Sequence, residues 1–110
     1  MNSKIDNLES LLAKGQDNAL LRYSLGSEYL KEQNIILAIT HFAKAVELNP
    51  HYSAAWKGYG KALTEGEQWL QAIEVYQQGI KVAEQRGDQQ AVKEMNVFLK
   101  RLKKKMNQED

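Results

Sequence analysis

Cysteine is absent from the 110 residues, and proline occurs once, at position 50. The first absence removes disulfides, thiolate metal ligands and a cysteine nucleophile together, and it suits a reducing compartment. The second leaves long stretches free of the residue that most strongly breaks helices. Charge of one sign is also lacking. Fifteen lysines and arginines stand against 14 acids, and a formal net charge of +1 argues against a dedicated polyanion binder. No apolar run approaches the ~18 residues of a membrane span, and the polar opening Met1-Asn2-Ser3-Lys4-Ile5-Asp6 has no secretory-signal core. A cytoplasmic location is the expectation by elimination. Sustained apolar–polar alternation is scarce as well, so strands are not expected.

What is present suits one domain that buries a core without metal or disulfide: 43% hydrophobic and 26% charged residues over 110 positions. Apolar periodicity divides the chain into six helices. The first is expected over about 3–14, where Ser3 and Asp6 have the spacing of a capping box. Ile5, Leu8, Leu11 and Leu12 form its stripe, and Gly15 sits where a left-handed C-cap belongs. The second covers about 18–32 with Leu21, Leu25 and Tyr29 on one face. Asn34 opens a third over about 35–48, stopped by Asn49-Pro50. A fourth follows over about 53–65, broken by Gly66, and a fifth over about 68–85, stopped by Gly87. Asp88 is the N-cap expected for a sixth reaching Met106, and 107–110 are expected to fray.

Sliding the chain against itself by 34 positions lays Gly26 on Gly60, Ala38 on Ala72 and Ile39 on Ile73. Leu25 falls on Tyr59, Tyr29 on Leu63, Phe42 on Tyr76, Ala45 on Gly79 and Val46 on Ile80. Small stays small and large apolar stays large. A period of this length with two helices per unit is the mark of a helical repeat. The segment Leu25-Gly26-x-x-Tyr29, Ala38-x-x-x-Phe42-x-x-Ala45, Pro50 resembles a tetratricopeptide repeat. Trp56-x-x-Tyr59-Gly60, Ala72-x-x-x-Tyr76-x-x-Gly79 resembles a second copy, with Glu84 in place of the closing proline and Trp56 where the first copy has Arg22. The resemblance extends over residues 19–86 at specific positions, and the whole chain is similar to small bacterial proteins of this superfamily.

The fold this implies is all-α, a right-handed α-α superhelix of two helical hairpins, 19–52 and 53–86. An N-terminal capping helix within 1–15 and a C-terminal one over 87–106 would close it. The packing reason is independent of the family. Two helices approach closely only where side chains are small, so Gly26, Ala38, Gly60 and Ala72 are expected to set the contact distance. Phe42, Tyr29, Trp56 and Tyr76 are expected to fill the space around them. A third unit begins and is abandoned: one more step of 34 puts Glu94 where Gly60 was and Met106 where Ala72 was. Ala91, Val92, Met95, Phe98, Leu99 and Leu102 then read as the inner stripe of a capping helix.

Catalytic chemistry is thin. His41 and His51 stand alone without the paired spacing of a metal site, and no convincing nucleophile–base constellation can be assembled around them. Gly58-Tyr59-Gly60-Lys61 lacks the glycine spacing and preceding strand of a phosphate loop. Glu28 and Glu32 are one turn apart, as an acid/base pair could be, and read as solvated surface. No enzyme and no cofactor are expected. The basic run Lys100-Arg101-x-Lys103-Lys104-Lys105 has no interleaved aromatics. It is better explained by the helix C-terminal dipole and solubility than by nucleic acid or a membrane surface.

The family resemblance places a ligand surface on the concave face, lined by the first helix of each unit. It assigns Leu20, Tyr23, Ser27, Leu30 and Lys31 from one helix, and Ala54, Lys57, Lys61 and Thr64 from the next. The last helix would add Asp88, Ala91, Met95 and Phe98. Tyr23 beside Lys57 and Lys61 would suit an acidic or C-terminal peptide, provided the two lysines are not simply solvated. The clamp by which some members grip chaperone C-termini is not matched, because its positions hold Tyr23, Ser27, Gly58, Asp88 and Val92. A protein or peptide partner held without catalysis is therefore the leading expectation. Self-association through Phe98 and Leu102 comes second, and nucleic-acid binding through the basic run third.

Overall fold

The computed structural model describes residues 2–108. Six helices follow one another: α1 (Ser3–Ala13), α2 (Ala19–Lys31), α3 (Ile35–Leu48), α4 (Ser53–Glu65), α5 (Trp69–Arg86) and α6 (Gln89–Gln108). No strand occurs among the described residues. Each helix packs on its neighbours in sequence. In addition α2 touches α4 and α4 touches α6, whereas α3 and α5 stay apart. The first helices of the hairpins thus converge on one side and the second helices diverge on the other, which curves the array. The result is an all-α helical repeat, elongated at 45 × 31 × 19 Å.

Polar caps start four of the helices. Asn18 Oδ1 accepts from Leu21 N at 2.8 Å, Asn34 Oδ1 from Leu37 N at 3.4 Å, and Asp88 Oδ1 from Ala91 N at 3.1 Å. At the N-terminus the cap differs from the capping box expected at Ser3 and Asp6. Asn2 holds the position instead, its Oδ1 accepting from Lys4 N and Ile5 N. With Asn2 as N-cap, these are the N–H groups of the second and third helical residues, which have no partner within the helix. Helix α6 continues through Gln108, so Asn107 is helical rather than part of a frayed tail. Positions 109–110 of that tail, like Met1 of the first segment, lie outside the described residues.

The turn inside each hairpin departs from the glycine expectation. Gly66 keeps φ −83°, and the left-handed residue is its neighbour Glu67 at φ 58°. Gln33, 34 positions earlier, does the same at φ 62°. In both turns the next N–H closes back on the helix, Asn34 N to Tyr29 O and Gln68 N to Leu63 O, each at 2.9 Å. A residue with a Cβ costs about 1–2 kcal/mol in this conformation, and glycine returns part of that through unfolded-chain entropy. Gln33→Gly and Glu67→Gly are each expected to raise stability by up to about 1 kcal/mol, read as a higher urea midpoint at unchanged slope.

The core forms around rings set against missing side chains. Phe42, 1% exposed, lies against Gly26 of α2 and Gly58 of α4 at once. A Cβ at Gly26 would stand 2.9 Å from Phe42 Cγ, and one at Gly58 2.6 Å from its Cζ. Gly60 and Tyr76 repeat the arrangement one hairpin later, with 2.7 Å from a Cβ to Tyr76 Cζ. Ala38, Ala45, Ala62 and Ala72 are wholly buried at the same contacts. Gly26, Ala38, Gly60 and Ala72 therefore set the helix spacing as their sizes predict. Gly58 does so as well, although the sequence drew attention to it only through a spurious phosphate loop and an unmatched clamp position. Trp56 and Tyr29 are half-buried. Trp56 Nε1 donates to the carbonyl of Pro50 at 2.8 Å, which ties the linker between hairpins to α4.

The register of 34 does not continue into α6. Helix α5 has 18 residues where α3 has 14, because Glu84 replaces the proline stop. The buried stripe of α6 is then Ala91, Met95 and Leu102, all at 4% exposure or less. Met95 fills the space over Gly79, where a Cβ would lie 2.7 Å from its sulfur.

Candidate functional site

Seven of the residues assigned to the concave face by resemblance line one groove: Tyr23, Ser27, Leu30 and Lys31 from α2, with Ala54, Lys57 and Lys61 from α4. Its volume is about 360 Å³, and Phe42 and Gly58 form the floor. The alternation of helix and turn produces this juxtaposition. Residues three and four apart on α2 and α4 face the same side, and the two helices touch.

Tyr23 both packs and lines. Its ring meets Phe42 edge-on at 5.9 Å and lies tilted 5.0 Å from Tyr52. The two ammonium groups are not simply solvated. Lys57 Nζ makes a 2.8 Å ion pair with Glu94 of α6. Lys61 Nζ stands 5.7 Å from the centre of the Phe98 ring. Lys31 is held at the groove's edge by Glu28, at 3.1 Å.

The other assigned residues lie elsewhere. Thr64 lines a second hollow of about 240 Å³ between α4 and α6, and its hydroxyl donates to the Gly60 carbonyl at 2.8 Å. Leu20 is 64% exposed beside Leu8 and Leu11, in a shallow depression between α1 and α2. Met95 and Ala91 are buried in the core, because the broken register turns that stripe of α6 inward. Asp88 is engaged as a cap, and its Oδ2 also accepts from Ser53 at 2.8 Å. The backbone N–H of Ala91, then the Ser53 hydroxyl, hold its carboxyl below the usual range.

Two groups read from sequence as bland surface are structural instead. Glu28 is only 7% exposed and pairs with both Lys31 and Lys4, which keep its carboxyl below the usual range. Glu32 stays exposed, as its sequence position suggests, and accepts from Asn2 Nδ2 at 2.9 Å, so both glutamates link α1 to α2. His41 is 5% exposed and stacks on Tyr29 at 5.5 Å with ring planes 6° apart. Arg22, standing where the second repeat has tryptophan, pairs with Asp17 at 2.7 and 2.9 Å. Its remaining nitrogen reaches His41 Nδ1 at 3.2 Å. Tyr29 completes the row by donating its hydroxyl to Glu9, which pushes that hydroxyl up to about 12. A guanidinium can only donate, so His41 Nδ1 accepts and the ring is neutral. The role of Arg22 shows only in the folded chain, because a lone arginine in sequence gives no sign of a histidine 19 positions on.

This row has a pH consequence. Burial holds His41 below the ordinary imidazole value of 6.5, with Arg22 acting in the same direction and Glu9 and Asp17 against it. The unfolded chain then binds the extra proton first, so stability is lost as pH falls below about 6.5 until the folded value is passed. The urea midpoint is expected to drop as pH is lowered from about 7 through about 6.5, and His41→Gln is expected to flatten that part of the curve.

Among the described residues no group of three or more histidine or acidic side chains could hold a metal ion. None of their helices is long and apolar enough to cross a membrane. No family model matches the chain. It is, however, 46% identical over 98 residues to the TPR repeat-containing protein PA0015 of Pseudomonas aeruginosa, covering 89% of this chain and 93% of that one. The solution structure of protein BPP2914 from Bordetella parapertussis superposes with a TM-score of 0.82 at 40% identity, over 96% of this chain and 91% of that one. The crystal structure of a tetratricopeptide repeat domain protein from Salinibacter ruber does so at 0.72 and 30% identity, over 78% and 97%. With the two hairpins, their small-residue contacts and this identity to a named relative, the chain belongs to the tetratricopeptide-repeat family, whose members are in general protein-interaction modules without catalysis.

Proposed function

We propose that this protein is a non-catalytic cytoplasmic adaptor that holds a peptide or a partner protein in the groove between α2 and α4. One observation carries the reading: Tyr23, Ser27, Leu30 and Lys57 converge from two helices on one hollow of about 360 Å³ with an apolar floor and polar walls. Two hairpins offer little area, so a single site of modest affinity is the expectation unless the partner reaches beyond the groove. The self-association reading loses ground by comparison, since Leu102 is buried and Phe98 lies beneath Lys61.

The test is a partner identified by affinity capture and then titrated against purified variants. Tyr23→Ala and Lys61→Glu are each expected to weaken binding by roughly tenfold or more, as truncation of a central anchor or reversal of a facing charge does. Circular dichroism should show unchanged helicity in both. Unaltered affinity in both variants would move the interface off the concave face.

A further inference from the structure

The hollow between α4 and α6 has a chemistry that the neighbouring groove lacks. Its floor is apolar, made by Tyr76 and Leu102, which are almost wholly buried, and by the partly exposed Phe98. Its rim is cationic: Lys61 from α4 faces Arg101 and Lys105, one turn apart on α6. The basic run is therefore split by the fold. Arg101 and Lys105 turn to the concave side, Leu102 enters the core, and Lys100, Lys103 and Lys104 point to solvent. One carboxylate, Glu65, also lines it, one turn after Lys61 on α4.

The three rim cations also differ from the other groove cations in their partners. Lys31 and Lys57 are paired with Glu28 and Glu94. Among the described residues no carboxylate lies within 4.0 Å of Lys61, Arg101 or Lys105. Lys61 and Lys105 rest instead on aromatic faces, Phe98 at 5.7 Å and Trp69 at 5.2 Å. Such contacts at exposed positions are weaker than a charge-assisted hydrogen bond, so a carboxylate competes well for both. At about 240 Å³ the hollow is smaller than the ~300–1,000 Å³ of small-molecule sites, and it fits one large side chain.

We infer that this cleft takes an acidic segment of a partner protein, with one leucine or aromatic side chain seated on Phe98 and Leu102 and flanking carboxylates on Lys61, Arg101 and Lys105. The inference rests on the concave-face reading and names the partner chemistry for its α6 end. A nucleic acid fits less well. A phosphate track would need the cations to continue along the groove, and there Lys31 and Lys57 are already paired.

The test is selection of a displayed library of random dodecapeptides on the whole protein, followed by fluorescence anisotropy of the selected peptide with wild-type protein and variants. The expected product is a sequence with one Leu, Phe or Trp flanked by Asp or Glu. Its affinity should fall roughly tenfold or more in Arg101→Glu/Lys105→Glu, and likewise when its acids are changed to amides. The affinity should also weaken with added salt. Failure to enrich any acidic sequence overturns the inference. If the selected peptide is not acidic and loses binding in Tyr23→Ala, the groove reading stands and this one falls. Binding unaffected by either Tyr23→Ala or the α6 variant overturns both. A single-stranded oligonucleotide that binds as tightly and depends on the same α6 residues also overturns it, in favour of a nucleic-acid ligand.

Discussion

Phe42→Ala is expected to lower the free energy of unfolding by about 3–5 kcal/mol, as deletion of a fully buried ring does when its surroundings cannot close in. The setting of this ring explains why. It is 1% exposed and sits against Gly26 on one helix and Gly58 on another, so the walls are backbone and cannot relax into the gap. A domain of this size holds only about 5–15 kcal/mol in total. The loss is thus a large fraction of the whole and should appear as a fall in Tm of more than about 10 °C by circular dichroism. The local explanation can be isolated by a cycle. Gly58→Ala alone puts a Cβ 2.6 Å from Phe42 Cζ and is expected to be costly. In a Phe42→Leu background the same change should cost less, because the obstructing ring is gone. Additive losses would place the strain elsewhere.

Gly60→Leu is expected to cost about 3 kcal/mol or more, at the upper end of overpacking penalties. The first added carbon alone would lie 2.6 Å from Tyr76 Cδ1, and Tyr76 is 2% exposed. The control is Gly66→Ala. That glycine has φ −83°, and an added Cβ would meet the Ile35 Cγ2 methyl at 3.1 Å, a tight contact with a half-buried side chain that needs a shift of only a few tenths of an ångström. Gly66→Ala should stay within about 1 kcal/mol of wild type, on either side. Thermal melts of both variants separate the contact from generic loss of glycine. Equal effects would mean that α4 and α5 are not held at this spacing by Gly60.

The hairpins could be read from the chain because small-to-small and large-to-large correspondence at a spacing of 34 is direct evidence of repeated packing. Gly26 and Gly60, Ala38 and Ala72, Phe42 and Tyr76 each state the same contact twice. The groove followed from helix periodicity together with the family's habit of using its first helices. What escaped were features decided by pairs distant in sequence. The Lys57–Glu94 bridge spans 37 positions, and the Lys61–Phe98 contact is just as remote. Neither partner announces the other. Met95 stood in two readings, the inner stripe of α6 and the concave face, and the second fails for a different reason. A register valid for two units was extended past a missing proline, and α5 used that freedom to run longer. Glu67 and Gln33 escaped because composition favours glycine at left-handed turns, while the closing hydrogen bonds hold the turn whatever the side chain.

Helix α1 touches only α2, and it contributes a single buried residue, Ile5, to the core. Helices α2 to α5 each have at least two partners and several buried side chains. Amide protons of α1 should therefore exchange with solvent well before those of α3 and α4, by opening of the end helix alone while both hairpins persist. The Lys4–Glu28 and Asn2–Glu32 links, in place of a broad apolar seam, then set how often the N-terminal edge of the array is uncovered.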